Sequence, residues 1–348
     1  MAQTHIVGCI LGTAVGDAIG LPYEGLSRRR AAKLFGQPER HRFFFGRGMV
    51  SDDTEQTCMV AQSLIASGGD VDSFRRHLGW RFRFWLLGFP AGIGMATLRS
   101  TLRLWVGFGP HKSGVFSAGN GPAMRAAILG AAIDDPQSLR ELVHASTRIT
   151  HTDPKAEYGA FAVALAAQLA RQHATADHFV DQLKSSLGAD GDELSSLIAG
   201  AVNSANDGQP TDSFADSLGL FKGVSGYVYH SVPVAIHASF VHKHDFRSAV
   251  AAVIQCGGDA DSTGAIVGGI IGTAVGKEGI PSEWLDHLLE WPRSVSWMER
   301  LGVQVDSSIS SDAKDRPIAL PVWGLLPRNL FFLLVVLYHG FRRLFPPY

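Results

Sequence analysis

Cysteine is nearly missing from this sequence: the 348 residues contain three, at positions 9, 58 and 256. The number is odd and no spacing matches a zinc site, so neither a disulfide framework nor a thiolate metal centre is expected. Cys9, Cys58 and Cys256 all sit in apolar, helix-like contexts, which suits buried reduced thiols. A dominant charge is also lacking. Lys and Arg number 31 against 32 Asp and Glu, leaving no global field to attract nucleic acid. The opening residues, Met1-Ala2-Gln3-Thr4-His5, have neither the basic nor the apolar region of an export signal. These absences set a cytoplasmic expectation.

Strand patterns are absent as well. No stretch alternates apolar and polar residues convincingly, whereas helical periodicity recurs, so the expected fold class is all-α. Helices are expected at about 4–20, 54–67, 71–87, up to 104, up to 132, and 136–148. Others follow at about 154–170, 177–187, 191–205, 211–220, 231–240 and 245–255. Asp72 or Ser73 can cap the helix that starts near Val71. Residues 21–48 read as loop-rich, with Arg28-Arg29-Arg30 as a solvated helix face. Residues 1–303 form one body, 304–316 a polar linker and 317–348 an apolar tail.

Against this background two acidic stretches stand out. Ser51-Asp52-Asp53-Thr54 and Asp259-Ala260-Asp261-Ser262 each place two carboxylates and a hydroxyl where a helix begins. An N-cap uses one such group, and either stretch alone is compatible with that role. The second acid of each pair is not explained by capping, because adjacent carboxylates repel unless a cation or hydrogen bonds compensate. Four carboxylates without interleaved Cys or His form a hard-oxygen donor set. It suits Mg²⁺ or Mn²⁺ and carries enough charge for two ions.

Glycine forms the second pattern. Gly8, Gly12, Gly16 and Gly20 recur every four residues, and so do Gly264, Gly268, Gly272 and Gly276. Each set lies on one helix face. Interior glycine costs a helix about 1 kcal/mol relative to alanine, so each stripe implies close approach of a neighbour. The two helices are expected either to pack on each other or each to receive another close partner. Membrane dimerisation is set aside because each uncharged run is shorter than the roughly 20 residues needed to span.

A glycine-rich segment closes with Gly119-Asn120-Gly121-Pro122-Ala123-Met124-Arg125 before a helix. Such a segment can offer backbone N–H groups to an anion, or simply turn. His151, in Thr150-His151-Thr152-Asp153-Pro154, reads as a cap-region histidine or a substrate contact. The tail carries Leu330 to Leu337 followed by Arg342 and Arg343. It is expected to pack on the body or a partner subunit in preference to a membrane surface.

Taken in order, these motifs resemble the ADP-ribosylglycohydrolase family. They include Gly12-Thr13-Ala14-Val15-Gly16-Asp17-Ala18-Ile19-Gly20, Ser51-Asp52-Asp53-Thr54, the 119–125 segment, Thr150-His151, and Gly257-Gly258-Asp259-Ala260-Asp261-Ser262. The resemblance implies a compact orthogonal helical bundle around a dinuclear metal cleft. It implies a hydrolase releasing ADP-ribose from a protein side chain or a small molecule, with two Mg²⁺ (Mn²⁺ as an alternative). Ser51, Asp52, Asp53, Asp259, Asp261 and Ser262 take the ligand positions. Ser117, Gly119, Asn120, Gly121, Met124, Arg125 and His151 take substrate positions, and Glu24, Asp53 and Asp261 catalytic ones. Asp17 is assigned to structure, anchoring the end of the first helix. Relatives acting on arginine often carry Asp-Ile-Gly where this chain has Gly92-Ile93-Gly94, which puts arginine specificity in question. A non-catalytic ADP-ribose binder and a crystallin-like structural member are the alternatives, and neither requires the six intact ligand positions.

Overall fold

A computed structural model describes residues 2–311 and 313–346, with burial assigned from residue 4 onward. Met1, Asp312 and Pro347-Tyr348, assigned above to the body, linker and tail, lie outside the described residues. The first helices are α1 (Ala2–Gly20), α2 (Arg28–Phe35), α3 (Asp52–Ser67), α4 (Val71–Leu86), α5 (Met95–Trp105) and α6 (Ala127–Ala132). Next come α7 (Pro136–Arg148), α8 (Pro154–Arg171), α9 (Ala176–Leu187), α10 (Asp192–Asn206), α11 (Thr211–Ser217) and α12 (Val228–Val241). The chain ends with α13 (Phe246–Gln255), α14 (Ala260–Val275), α15 (Ser282–Asp286), α16 (Val295–Ser310) and α17 (Leu325–Arg342). Among the described residues there is no strand, only isolated bridges between loops. The fold is all-α.

Local chemistry explains several helix starts. Asp135, Asp153, Thr175, Asp245 and Ser294 each accept a backbone N–H of the first turn with their side chains. Asp70, rather than Asp72 or Ser73, caps α4, because its carboxylate takes the Ser73 N–H at 2.9 Å. Near Arg28 and after Val303 the structure also departs from the sequence reading. Arg28–Phe35 is helical, and Arg28 is engaged on protein, donating to Cys256 O at 3.0 Å and Asp216 Oδ1 at 2.7 Å. Residues 304–310, read as linker, continue α16, whose face buries Leu301 and Val305.

The most extensive helix contact joins α1 to α14. It is antiparallel, and the two glycine stripes face each other: Gly8 on Gly272, Gly12 on Gly268, Gly16 on Gly264. A methyl group at Gly12 would sit 2.1 Å from Gly268 O, and one at Gly16 would sit 2.0 Å from Gly264 O. No side chain fits between these backbones. The core spreads from this seam, with Ile10, Leu11, Val15, Ile266 and Val267 fully buried beside it.

Among the described residues, two helices are long and apolar enough to cross a membrane, Thr4–Tyr23 and Val322–Arg342. Length therefore does not exclude the first, as the sequence reading held. Burial assigns it to the core, since its window is 100% buried, against 33% for the second.

The seam gives a prediction of sign. Gly12→Ala or Gly268→Ala should destabilise by about 1–3 kcal/mol through overpacking, although alanine is the better helix former. Gly200 lies in α10 with nothing within 4 Å of its would-be Cβ. Gly200→Ala should stabilise by up to about 1 kcal/mol. Urea denaturation of the three variants tests this, and equal effects at all sites would contradict the seam.

Candidate active site

The antiparallel seam places the C-terminus of α1 beside the N-terminus of α14: Gly20 packs on Ala260 and Asp261. From the same end of α1, Asp17 reaches the N-terminus of α3. Its carboxylate accepts the Ser51 N–H at 2.9 Å, the Thr54 N–H at 3.2 Å and the Thr54 hydroxyl at 2.6 Å. One helix end thus sets both acidic stretches. Asp17 is structural, as expected, but it organises the start of α3 rather than the end of α1.

Between them lies a cleft of about 350 Å³ lined by Glu24, Asp52, Asp53, Asp259, Asp261 and Ser262. The same cleft is lined by Ser117, Gly119, Asn120, Gly121, Met124 and His151, and by Gly92, Gly94 and Met95. All the proposed site residues face this cleft except Ser51 and Arg125. Ser51 caps α3: its Oγ accepts the Asp53 N–H at 3.4 Å and its hydroxyl donates to Asp53 Oδ2 at 2.8 Å. It stands behind Asp53.

The acids are not consumed by capping. Asp259 occupies the N-cap position of α14 but makes no side-chain cap bond. It accepts Asn120 Nδ2 at 2.8 Å instead. Asp52 Oδ2 accepts Gln56 Nε2 at 2.7 Å, one turn along α3. Asp53 Oδ1 and Asp261 Oδ1 are buried with no hydrogen-bond partner. Burial raises the pKa of Asp52, Asp53 and Asp261 well above the usual carboxylate range. Neighbouring acids add to it, chiefly Asp17 for the α3 pair and Glu24 for Asp261. Burial likewise lifts Asp17 to about 7 against its hydrogen bonds. Such a cluster must hold protons or take up positive charge. Among the described residues, no three His, Cys, Asp or Glu side chains are gathered tightly enough to cage an ion as they stand.

Glu24 lies at the rim on a loop tied directly to the second acidic stretch. Gly25 N–H donates to Gly258 O at 2.7 Å, and Gly258 N–H donates to Leu26 O at 2.8 Å. Gly258 has a φ of 82°, and a Cβ there would meet Val224 O at 1.9 Å. Only glycine lets the three loops cross. Surrounding protein, then the Asp259 charge, raises the Glu24 pKa, and Arg343 from the tail opposes them.

Arg125 corrects the sequence reading. It is fully buried and points away from the cleft. Its guanidinium donates to Gln56 Oε1 at 2.6 Å, Gly121 O at 3.1 Å, Ser146 O at 3.0 Å and Thr150 Oγ1 at 2.7 Å. It binds the glycine loop to α3 and α7, and through Gln56 it steadies Asp52. His151 sits under that loop. A Cβ at Gly121 would lie 3.1 Å from its ring, and one at Gly119 would lie 3.2 Å from Nε2.

The tail supports the site from behind. Arg328 of α17 grips Glu290 through two bonds of 2.9 and 2.7 Å and donates to Val50 O at 2.5 Å. Glu55, two residues after Asp53, accepts Arg293 at 2.7 Å and Trp85 Nε1 at 2.5 Å. Sequence reasoning missed Gln56, Arg293 and Arg328. Gln56 alone carried a local signal, four residues after Asp52 on one helix face.

Comparison with known proteins gives a consistent pattern. The family model described as ADP-ribosylglycohydrolase matches residues 2–314. The chain is 31% identical over 300 residues to the ADP-ribosyl-[dinitrogen reductase] glycohydrolase of Rhodospirillum rubrum, covering 81% of this chain and 89% of that one. It is 26% identical to the human ADP-ribosylhydrolase ARH3, covering 80% and 87% respectively. Among solved structures, an ADP-ribosylglycohydrolase-related protein complex superposes with a TM-score of 0.67 at 26% identity. That match covers 88% of this chain and 99% of the other.

Burial, then the Arg125 charge, lowers the His151 pKa from 6.5 to about 3. The folded value lies below the unfolded one, so its contribution to stability is present above pH 6.5 and declines as pH falls toward 3. Imidazole NMR should show His151 neutral from pH 8 down to 5; a midpoint near 6.5 would contradict this burial.

Proposed function

Because the chain belongs to the ADP-ribosylglycohydrolase family, we propose that it is a Mg²⁺-dependent hydrolase cleaving the glycosidic bond between ADP-ribose and an acceptor. The observation that carries the metal reading is the pair of buried, unpartnered oxygens, Asp53 Oδ1 and Asp261 Oδ1, in a cluster of acids. Hard carboxylate oxygens and the Ser262 hydroxyl fit Mg²⁺ or Mn²⁺. Asp52, Asp53, Asp259, Asp261 and Ser262 would hold two such ions, with Ser51 joining only by giving up its bond to Asp53. Bound there, they would orient the ribose hydroxyls and lower the pKa of a water.

The chain's own groups account for the rest. The 117–121 loop and the neutral His151 receive the ADP portion, and Met124 gives it an apolar contact. Cleavage at the anomeric carbon develops oxocarbenium-like charge on the ribose, which the surrounding carboxylates stabilise. Glu24, with its raised pKa, donates a proton to the leaving group. Asp53 or Asp261 accepts the proton of the attacking water.

With the Gly92, Gly94 and Met95 stretch as the acceptor side, that stretch itself brings no carboxylate. The acid nearest it is Asp52, whose Oδ1 lies 3.8 Å from a would-be Cβ at Gly92 and which is placed here among the metal ligands. A guanidinium leaving group gains nothing there, so we take the acceptor to be linked through oxygen, as in a serine or acetyl ester conjugate. The substrate is then an ADP-ribosylated protein or small molecule. The free, buried thiols of Cys9, Cys58 and Cys256 support a reducing, cytoplasmic setting.

ADP-ribose release from arginine-, serine- and acetyl-linked substrates, each with Mg²⁺ or EDTA, tests the reading. Release is expected from an oxygen-linked substrate with Mg²⁺ and none with EDTA. Asp52→Ala and Asp261→Ala should each lose at least about a hundredfold in kcat/KM while retaining helical circular dichroism. Full activity in either variant, or ADP-ribose binding without any release, would overturn it.

A further inference from the structure

The last helix is apolar on both its inward and its outward face. Its inward face carries Arg328, Phe332, Val335 and His339, all buried. His339 Nε2 is 2.7 Å from Phe43 O, and Arg328 is held as described. Its outward face is Leu326, Leu330, Leu334, Leu337 and Phe341, each 45–66% exposed. These positions recur at helical spacing and form one stripe.

The loops flanking α17 extend this surface at a cost. Phe45 adopts a φ of 44° and Phe89 a φ of 52°, left-handed conformations that bulky residues rarely take. Both rings project outward, 93% and 71% exposed. Each loop is attached to α17: Phe44 stacks edge-on against Phe331 at 5.0 Å, and Asn329 Nδ2 donates to Gly88 O at 2.7 Å. Between α17 and the Phe43–Phe45 loop opens a groove of about 520 Å³ whose lining includes Phe43, Phe331 and Tyr338, with Arg42 and Arg342. Residues 317–346 contain no Asp or Glu.

We propose that the outward face of α17, with Phe45, Phe89 and this groove, docks on an anionic lipid surface. The apolar stripe and the two projecting rings enter the acyl boundary, and Arg42 and Arg342 meet the phosphate layer. Trp323 and Tyr338 stand at opposite ends of the helix, where aromatic rings suit the interface. A second copy of the chain would bring the same acid-free, arginine-bearing surface against itself and leave those charges unpaired. An anionic headgroup layer neutralises them. Met95 lines the cleft and is itself 61% exposed. Gly88, held by Asn329, leads into the Phe89–Gly94 loop beside it, so docking sets the cleft close to the membrane plane.

Flotation of the full chain with phosphatidylcholine vesicles, with and without phosphatidylglycerol, tests this. The protein is expected to float with the anionic vesicles and to be released by salt. Leu334→Glu combined with Leu337→Glu should weaken vesicle binding by at least about tenfold. Arg342→Ala should weaken it by about fivefold. Phe45→Gly, on a separate loop and relieved of strain, should also weaken binding without loss of helical signal. Failure of the wild-type chain to float would overturn the proposal. So would a dimer in sedimentation velocity that the double variant dissociates while vesicles take up neither form.

Discussion

The close contact of α1 with α14 is the constraint on which everything else depends. Two helices can approach this closely only where neither carries a side chain, and the glycine stripes supply that over about three turns. Because the pair is antiparallel, the end of one helix meets the start of the other. The Glu24 loop, the Asp259–Asp261 stretch and Asp17 are therefore assembled at one place by a packing rule that concerns none of them directly. Asp17 then recruits the N-terminus of α3, bringing in Asp52 and Asp53.

The resulting electrostatics fall into two layers. Behind the cleft, acids have cationic partners: Glu55 with Arg293, and Glu290 with Arg328. Among the described residues, no cleft acid forms an ion pair, although the Arg343 charge acts on Glu24. Arg125 stands near Asp52 but reaches it only through Gln56. Asp53 and Asp261 each retain an unpartnered oxygen in protein surroundings, an arrangement that is costly unless positive charge is supplied from outside. The rear acids are thus paired, while the cleft's acids must hold protons or take up positive charge. α17 belongs to the rear layer through Arg328, so the helix that presents an apolar face to the outside also steadies the segment leading into Asp52 and Asp53.

Much of this was legible because its signals are local. Glycine every fourth residue declares a helix face, and two acids beside a hydroxyl at a helix start exceed what a cap requires. The stripes could not say which partner each received; the structure shows they receive each other. The family resemblance gives Arg125 a substrate position along with the rest of its loop, yet it turns inward to bonds set by α3 and α7. Arg28 read as a solvated face, yet it holds Cys256 O across 228 residues of chain. Contacts of that range leave no periodic trace. The tail misled differently: Arg328 lies inside an apolar run, and only its distant partners Glu290 and Val50 reveal that its guanidinium faces inward.

The most direct measurement is calorimetric titration of the metal-free protein with Mn²⁺, alongside Asp53→Asn and Asp261→Asn. The account predicts that the wild-type chain takes up the ion, gains thermal stability with it, and that each substitution weakens uptake markedly while leaving the helical content unchanged. Absence of uptake by the wild-type chain, or uptake in both variants as tight as in the wild type, would contradict it.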